Sequence, residues 1–420
     1  MTASNLIAMR SQGRLSRRSF LIGTGCAAVS AGATARAQVG SDEFRVLRAQ
    51  ALSSSTRPTL RYNGALPGPT LRMKRGEELR VRLVNELAEP TSVHWHGVRL
   101  ANAMDGVPQL TQSATAPGES FDYRFKLSDA GTFWYHAPAS AQVDRGLYGA
   151  LIVEEDQPVG VDRDILLVLG AAADGADARA PVLVNASLRP DIAVTSGERL
   201  RLRLINATVS RRLALRLEGH AAWVMAIDGQ PAEPALARDS RLAFGPGNRA
   251  DLFVDATHEG GTALPLLAGI GDEQPIARLV YERGGNARRA RRSDPVALPP
   301  NALPPRIDLK GSLKVEMALA GAKALDLAGA PLFTVRRGRA VTLAVRNAGG
   351  RAWAVHVHGH HFRRLDRLDD GWTAYWLDTL MVGEQTERIA FVADNPGKWL
   401  IGCRSMEQPG IAADSWFVVT

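Results

Sequence analysis

Two cysteines among 420 residues are too few for a disulfide framework. Cys26 lies in a stretch that reads as a removable export signal, so Cys403 is the only thiol expected in the mature chain and no internal disulfide can form. A lone thiol in an oxidising compartment acts as a small buried hydrophobe or as a metal ligand. Methionine is also scarce, with eight residues scattered and no methionine-rich insert. No apolar run is long enough for a membrane span. Leu21 to Val29 is short and rich in Gly and Ala, and no span is expected in the mature form. Stretches with helical periodicity are nearly absent, which points to an all-β chain. The excess of positive charge is mostly apparent. Residues 1–37 carry five arginines and no acid, and taking these from the 51 basic residues leaves 46 against 43 acidic, a balance of +3. The remaining arginine cluster, Arg288, Arg289, Arg291 and Arg292, lies in a proline-bounded polar stretch that reads as a solvated linker, so no nucleic-acid partner is expected.

The first 37 residues read as a signal peptide. Ser16-Arg17-Arg18-Ser19-Phe20-Leu21 has the pattern of a twin-arginine export signal, followed by the apolar run and a small-residue cleavage site, Ala35-Arg36-Ala37. This predicts a periplasmic protein exported already folded, with the twin-arginine machinery as a partner. The mature chain then repeats one unit. Pro69 to Asn85 aligns without gaps on Pro190 to Asn206 and on Pro331 to Asn347, each reading as a strand, a turn at glycine (Gly76, Gly197, Gly338) and alternating apolar and polar residues ending at Asn. The spacing matches one sandwich domain. The predicted division is a domain over 38–156, a second over 157–285, a linker over 286–306 and a third domain over 307–420, as tandem antiparallel Greek-key β-sandwiches.

Histidine is where the chemistry concentrates. Val93-His94-Trp95-His96-Gly97 and Val355-His356-Val357-His358-Gly359 each place two imidazoles on one side of a strand. Both pairs lie nine and eleven residues after the repeat's Asn; the same offsets in unit two give Leu215 and Leu217. Units one and three are therefore expected to meet with their imidazoles facing. His136, closing Gly131-Thr-Phe-Trp-Tyr-His136, joins them from a neighbouring strand, and its counterpart in unit three is Gly402, next to Cys403. Imidazole without clustered carboxylates suits copper or zinc. His360 is not read as a ligand, His361 is read as a surface or outer residue, and His220 and His258 as structural residues of unit two.

These motifs, with Met104-Asp105-Gly106 and Gly146-Leu-Tyr-Gly149, resemble the multicopper oxidase family of three-domain cupredoxin proteins over residues from about Asn63 to Thr420. The resemblance implies three cupredoxin-like domains and copper as cofactor. In the family a type 1 copper collects electrons and passes them to a trinuclear centre that reduces dioxygen to water. By position, His94 and His356 correspond to type 2 ligands, His96, His136 and His358 to type 3 ligands, and Cys403 to the type 1 thiolate. Five positions that the family fills with histidine hold Pro138, Trp353, Gly402, Arg404 and Gln408, and the axial position falls on Ala412 or Ala413. Cys403 is thus a vestigial ligand without an imidazole. The expectation is fewer than the family's four copper ions, bound between domains one and three of a divergent oxidoreductase that lacks type 1 copper. Phenols, small reductants or cuprous ion would be its donors, although the absent methionine-rich insert argues against a dedicated cuprous oxidase. Two alternatives stay open: a non-catalytic periplasmic scaffold with an envelope partner, similar to a cell-division-associated member of the superfamily, and copper storage or delivery.

Overall fold

The computed structural model describes residues 43–52, 59–171, 180–269, 272–284, 292–366, 371–373, 375–408 and 410–420. The export signal and Arg288, Arg289 and Arg291 lie outside them, while Arg292 bonds the Gly197 carbonyl at 2.9 Å. Six sheets stack in three pairs. Sheets of four and four strands use residues 45–154, six and five use 163–281, and five and five use 313–419. One short α-helix, Ser140–Asp144, interrupts the β structure among the described residues. No helix among them is long and apolar enough to cross a membrane, which says nothing of a β-barrel.

The repeat has a physical basis at both of its marked residues. Gly76, Gly197 and Gly338 sit at φ +88°, +86° and +83°, a turn conformation that glycine enters without a Cβ penalty. Asn85, Asn206 and Asn347 each donate two side-chain hydrogen bonds to carbonyls of the following loop and of a more distant one: Glu89 and Thr115, Arg211 and Phe244, Arg351 and Gly383. Each sandwich is mixed rather than purely antiparallel as expected. Arg45–Leu52, Arg163–Ala171 and Leu313–Leu319 pair in parallel with the repeat strands Glu78–Asn85, Arg199–Asn206 and Ala340–Asn347.

The polar half of the alternation in unit two lies inside the molecule. Arg199, Arg201 and Arg203 are buried, not solvent-facing. Arg201 binds Glu155 and Asp251, and Arg203 binds Asp164, Asp251 and the Thr132 hydroxyl. The charges are retained because this face packs on domain one, where every guanidinium meets a carboxylate. Leu215 and Leu217 fill the core of unit two.

Alternation then decides where the histidines point. Trp95 enters the core of domain one against Tyr123, Phe125 and Tyr135, which turns its neighbours His94 and His96 to the opposite face. On Trp353–Val357 the residues Trp353, Val355 and Val357 are fully buried in the domain-three core, leaving Ala354 and His356 on the other side.

Candidate metal centre

Five imidazoles from domains one and three meet around a cavity of about 110 Å³. His94 Nε2 lies 3.3 Å from His356 Nε2, and His96 Nδ1 lies 3.3 Å from His136 Nε2. The His94 and His358 rings are 4.0 Å apart, and those of His96 and His356 stack at 3.8 Å. The ligand atoms of His94, His96 and His356 fall within 4.8 Å of one another, as do those of His94, Asp105 and His358. All of the candidate histidines converge.

Their outward nitrogens fix the tautomers. Nδ1–H of His94 donates to the Asp105 carbonyl at 2.9 Å, of His356 to the Asp378 carbonyl at 2.9 Å and of His136 to the Ala137 carbonyl at 2.7 Å. A carbonyl only accepts, so each of these rings presents an unprotonated Nε2 inward. His358 Nδ1–H donates to Asp105 Oδ2 at 2.9 Å and likewise leaves Nε2 free. The Thr379 hydroxyl donates to Asp378 Oδ1 at 2.8 Å, so it accepts from His96 Nε2–H at 2.9 Å, and His96 turns a lone pair inward through Nδ1. The two 3.3 Å contacts are therefore lone pair against lone pair, which no hydrogen bond relieves and a shared cation does. Five imidazoles that each turn a ring nitrogen inward form a donor set that fits copper.

Titration supports the same picture. Burial drives the imidazoles of His96, His136 and His356 well below or below their ordinary value, and that of His358 down to about 3. Burial also lowers His361, to about 4. Free histidine in an unfolded chain titrates near 6.5, so between these values the unfolded state binds protons that the folded state refuses. The stability that His358 and His361 contribute is complete above about pH 6.5 and is lost as pH falls toward the folded values, at about 1.4 kcal/mol per pH unit for each. Denaturant midpoints of metal-free protein at pH 7, 5.5 and 4.5 should fall accordingly; equal midpoints would contradict it.

Carboxylates do cluster here, contrary to the sequence reading. They stand behind the rings rather than in the cavity. Burial alone would raise Asp105 and Asp378, but His358 and His94 hold the first far below the usual carboxylate range, and Arg249 holds the second there. Arg249 comes from domain two. It donates from Nη1 to Asp378 Oδ1 at 2.9 Å and from Nη2 to Asp378 Oδ2 at 2.5 Å, and its Nε reaches the Thr132 carbonyl of domain one at 3.3 Å. Gly97 is required where this arginine passes, because a Cβ would lie 2.1 Å from Arg249 Nη2. Asp228, beside the pair, is pushed up to about 7 by burial and by the charge of Asp378.

His361 is buried rather than at the surface, with Nε2 3.3 Å from the Asp228 carbonyl and 3.6 Å from Asp378 Oδ2. His360 packs among Phe391, Trp399 and Phe417, with Nδ1 on the His358 carbonyl at 3.0 Å. His220 bonds the Tyr281 hydroxyl at 2.6 Å and His258 the Gly219 carbonyl at 2.7 Å, as local structure of unit two. Cys403 points away from the cavity into the domain-three core. Burial first, then Asp414, pushes its thiol above the usual range. Among the described residues it joins no group of three metal-ligating atoms.

Three family models, each described as multicopper oxidase, match residues 45–158, 131–262 and 299–411. Multicopper oxidase MmcO of Mycobacterium tuberculosis is 29% identical over 420 residues, covering 83% of this chain and 80% of that protein. Among solved structures, a multi-copper oxidase from Pseudomonas thermotolerans is 30% identical with a TM-score of 0.79, spanning 90% of this chain and 99% of its own. Lac15 from a marine microbial metagenome is 33% identical with a TM-score of 0.76, spanning 90% and 100%.

Proposed function

The chain belongs to the multicopper oxidase family, and from that premise we propose that it is a periplasmic oxidoreductase, exported by the twin-arginine route, that binds copper between domains one and three and works without a type 1 copper. One observation carries the reading: imidazoles from domains one and three are paired through their inward ring nitrogens, His94 with His356 and His96 with His136, each at 3.3 Å. His94 and His356 would hold one copper across the domain interface, and His96, His136 and His358 supply further ligands. Copper bound there would supply one-electron redox chemistry. The chain's own residues hold the rings in one tautomer through Asp105, Asp378 and Thr379, and they exclude bulk water from four of the five.

The loss of a type 1 copper is supported by the surroundings of Cys403. Trp353 is fully buried where the family has a histidine, and Cys403 Sγ faces the Ile401 carbonyl at 3.8 Å instead of an imidazole. A thiolate with two histidines is the minimum for a blue site. Donors would then reach the histidine cavity directly, past Pro138, Ser140 and Val209. Cys403→Ala should leave copper content and oxidase activity unchanged at a stability cost of about 1 kcal/mol; a tenfold fall in activity would restore a role for the thiol. Oxygen uptake with phenolic donors tests the enzyme reading. Copper-loaded protein without uptake for any common donor would favour storage or delivery.

A further inference from the structure

Domain one carries a second opening that the histidine site does not use. It is a cleft of about 410 Å³ between the turn Asn102–Met104 and the stretch from Thr111 to Phe121, open to solvent past Ala103 and Glu119. Ala103, Met104, Ala114 and Phe121 give it an apolar lining, and Glu119 is its one charged side chain. Two polar atoms of its lining residues, Gln112 Oε1 and Thr115 Oγ1, are buried without a partner. The Gln112 amide nitrogen donates to the Ser113 carbonyl at 3.4 Å, which leaves the oxygen as the end in need of a donor. The lining of the cleft is continuous with the support of the metal ligands. Met104 is followed by Asp105, whose carbonyl accepts from His94 Nδ1 at 2.9 Å and whose Oδ2 accepts from His358 Nδ1 at 2.9 Å. Thr115 and Thr91 exchange backbone hydrogen bonds at 2.7 and 3.1 Å, just upstream of His94.

Size separates the two openings. An apolar cavity of about 150 Å³ takes one benzene ring. The histidine cavity, at about 110 Å³ and with copper due to share it, takes small donors and no ring. The cleft has the volume of a small-molecule site and the usual make-up of one, apolar walls with a few polar groups. Its unmet groups say which molecule fits. A buried amide oxygen calls for an O–H or N–H, and the Met104 thioether favours contact with an aromatic ring. With no Lys or Arg among its lining residues and a carboxylate at its edge, the cleft disfavours anions. We propose that this cleft is the docking site for a neutral phenol, its ring on the surface of Met104 and Phe121 and its hydroxyl donating to Gln112 Oε1. The phenol's role as electron donor rests on the oxidoreductase reading above, and the cleft places that donor on the outer side of the segment that holds His94 and His358.

The test is calorimetric titration of full mature protein, metal-free so that no turnover intervenes, with guaiacol and separately with benzoate, an anion of similar size. Wild type should bind guaiacol and bind benzoate far more weakly. Ala103→Trp, which fills the cleft and deletes no native hydrogen bond, should abolish guaiacol binding. Gln112→Leu should weaken it about two- to tenfold, the effect of losing one hydrogen bond. In copper-loaded protein the KM for guaiacol in oxygen uptake should rise with the loss of binding. No binding by wild type, benzoate bound as tightly as guaiacol, or Ala103→Trp binding as wild type does would each overturn the inference and leave copper binding standing. Binding lost in Ala103→Trp with an unchanged KM would overturn the donor role of the cleft. Copper-loaded wild type that binds guaiacol and takes up no oxygen with it would remove the oxidoreductase reading, and the donor role with it.

Discussion

Replacing His94 and His356 together by alanine should weaken copper binding by more than about a hundredfold while the protein stays folded. Loss of an outer partner of a ligand already costs about 10–100-fold, and here both members of the cross-domain pair would be gone. Their Nε2 atoms face each other at 3.3 Å from separate domains, and among the described residues both groups of three closely spaced ligand atoms include His94. The fold should tolerate the change better than most buried truncations. Two unshared lone pairs that oppose each other in the metal-free state are removed along with the rings, offsetting part of the cavity cost. Competition with a copper chelator reads the affinity, and denaturant unfolding of both metal-free proteins reads the fold. Oxidase activity that survives the double substitution unchanged would place the redox centre elsewhere.

The second large effect belongs to the Arg249–Asp378 pair. Both residues are fully buried, and Arg249 joins all three domains through Gly247, Thr132 and Asp378. Arg249→Leu should cost about 3–5 kcal/mol, because Asp378 and Asp228 are left in the interior without their cation. Asp378→Asn should behave differently. Arg249 Nη1 is also 3.5 Å from Asp228 Oδ1, and removing the Asp378 charge relieves one cause of the raised Asp228 value, so Asp228 ionises and keeps the arginine paired. The stability loss should be smaller, while copper affinity falls about 10–100-fold as His96 and His356 lose the carboxylate behind them. Equal effects on stability from the two variants would show that Asp378 serves packing rather than the metal.

Which parts were legible in the sequence follows from which interactions have a period. The Asn-to-histidine offsets and the i, i+2 pairs are strand periodicity, and they located His94, His96, His356 and His358 on matching faces. His136 came from a second aligned segment. What supports these rings is not periodic. Asp378 is the one acid in a run, Tyr375 to Val382, that is apolar apart from it and Thr379, and Arg249 belongs to the repeat unit that carries no ligands. A lone acid in such a run does signal a buried partner, but its partner is 129 residues distant and only the packing of domain two names it. The burial of Arg199, Arg201 and Arg203 has no sequence signal for the same reason. Alternation predicts which side a residue faces, and here another domain occupies the side that solvent would otherwise take.

The central claim is a copper site between domains one and three without a type 1 centre, and metal content with spectroscopy tests it most directly. Mature protein loaded with copper, desalted and analysed by elemental analysis and electron paramagnetic resonance should retain at least one copper per chain. It should give a type 2 spectrum and no intense blue absorption. Folded protein that keeps no copper would contradict the site itself, and a blue band would contradict the reading of Cys403.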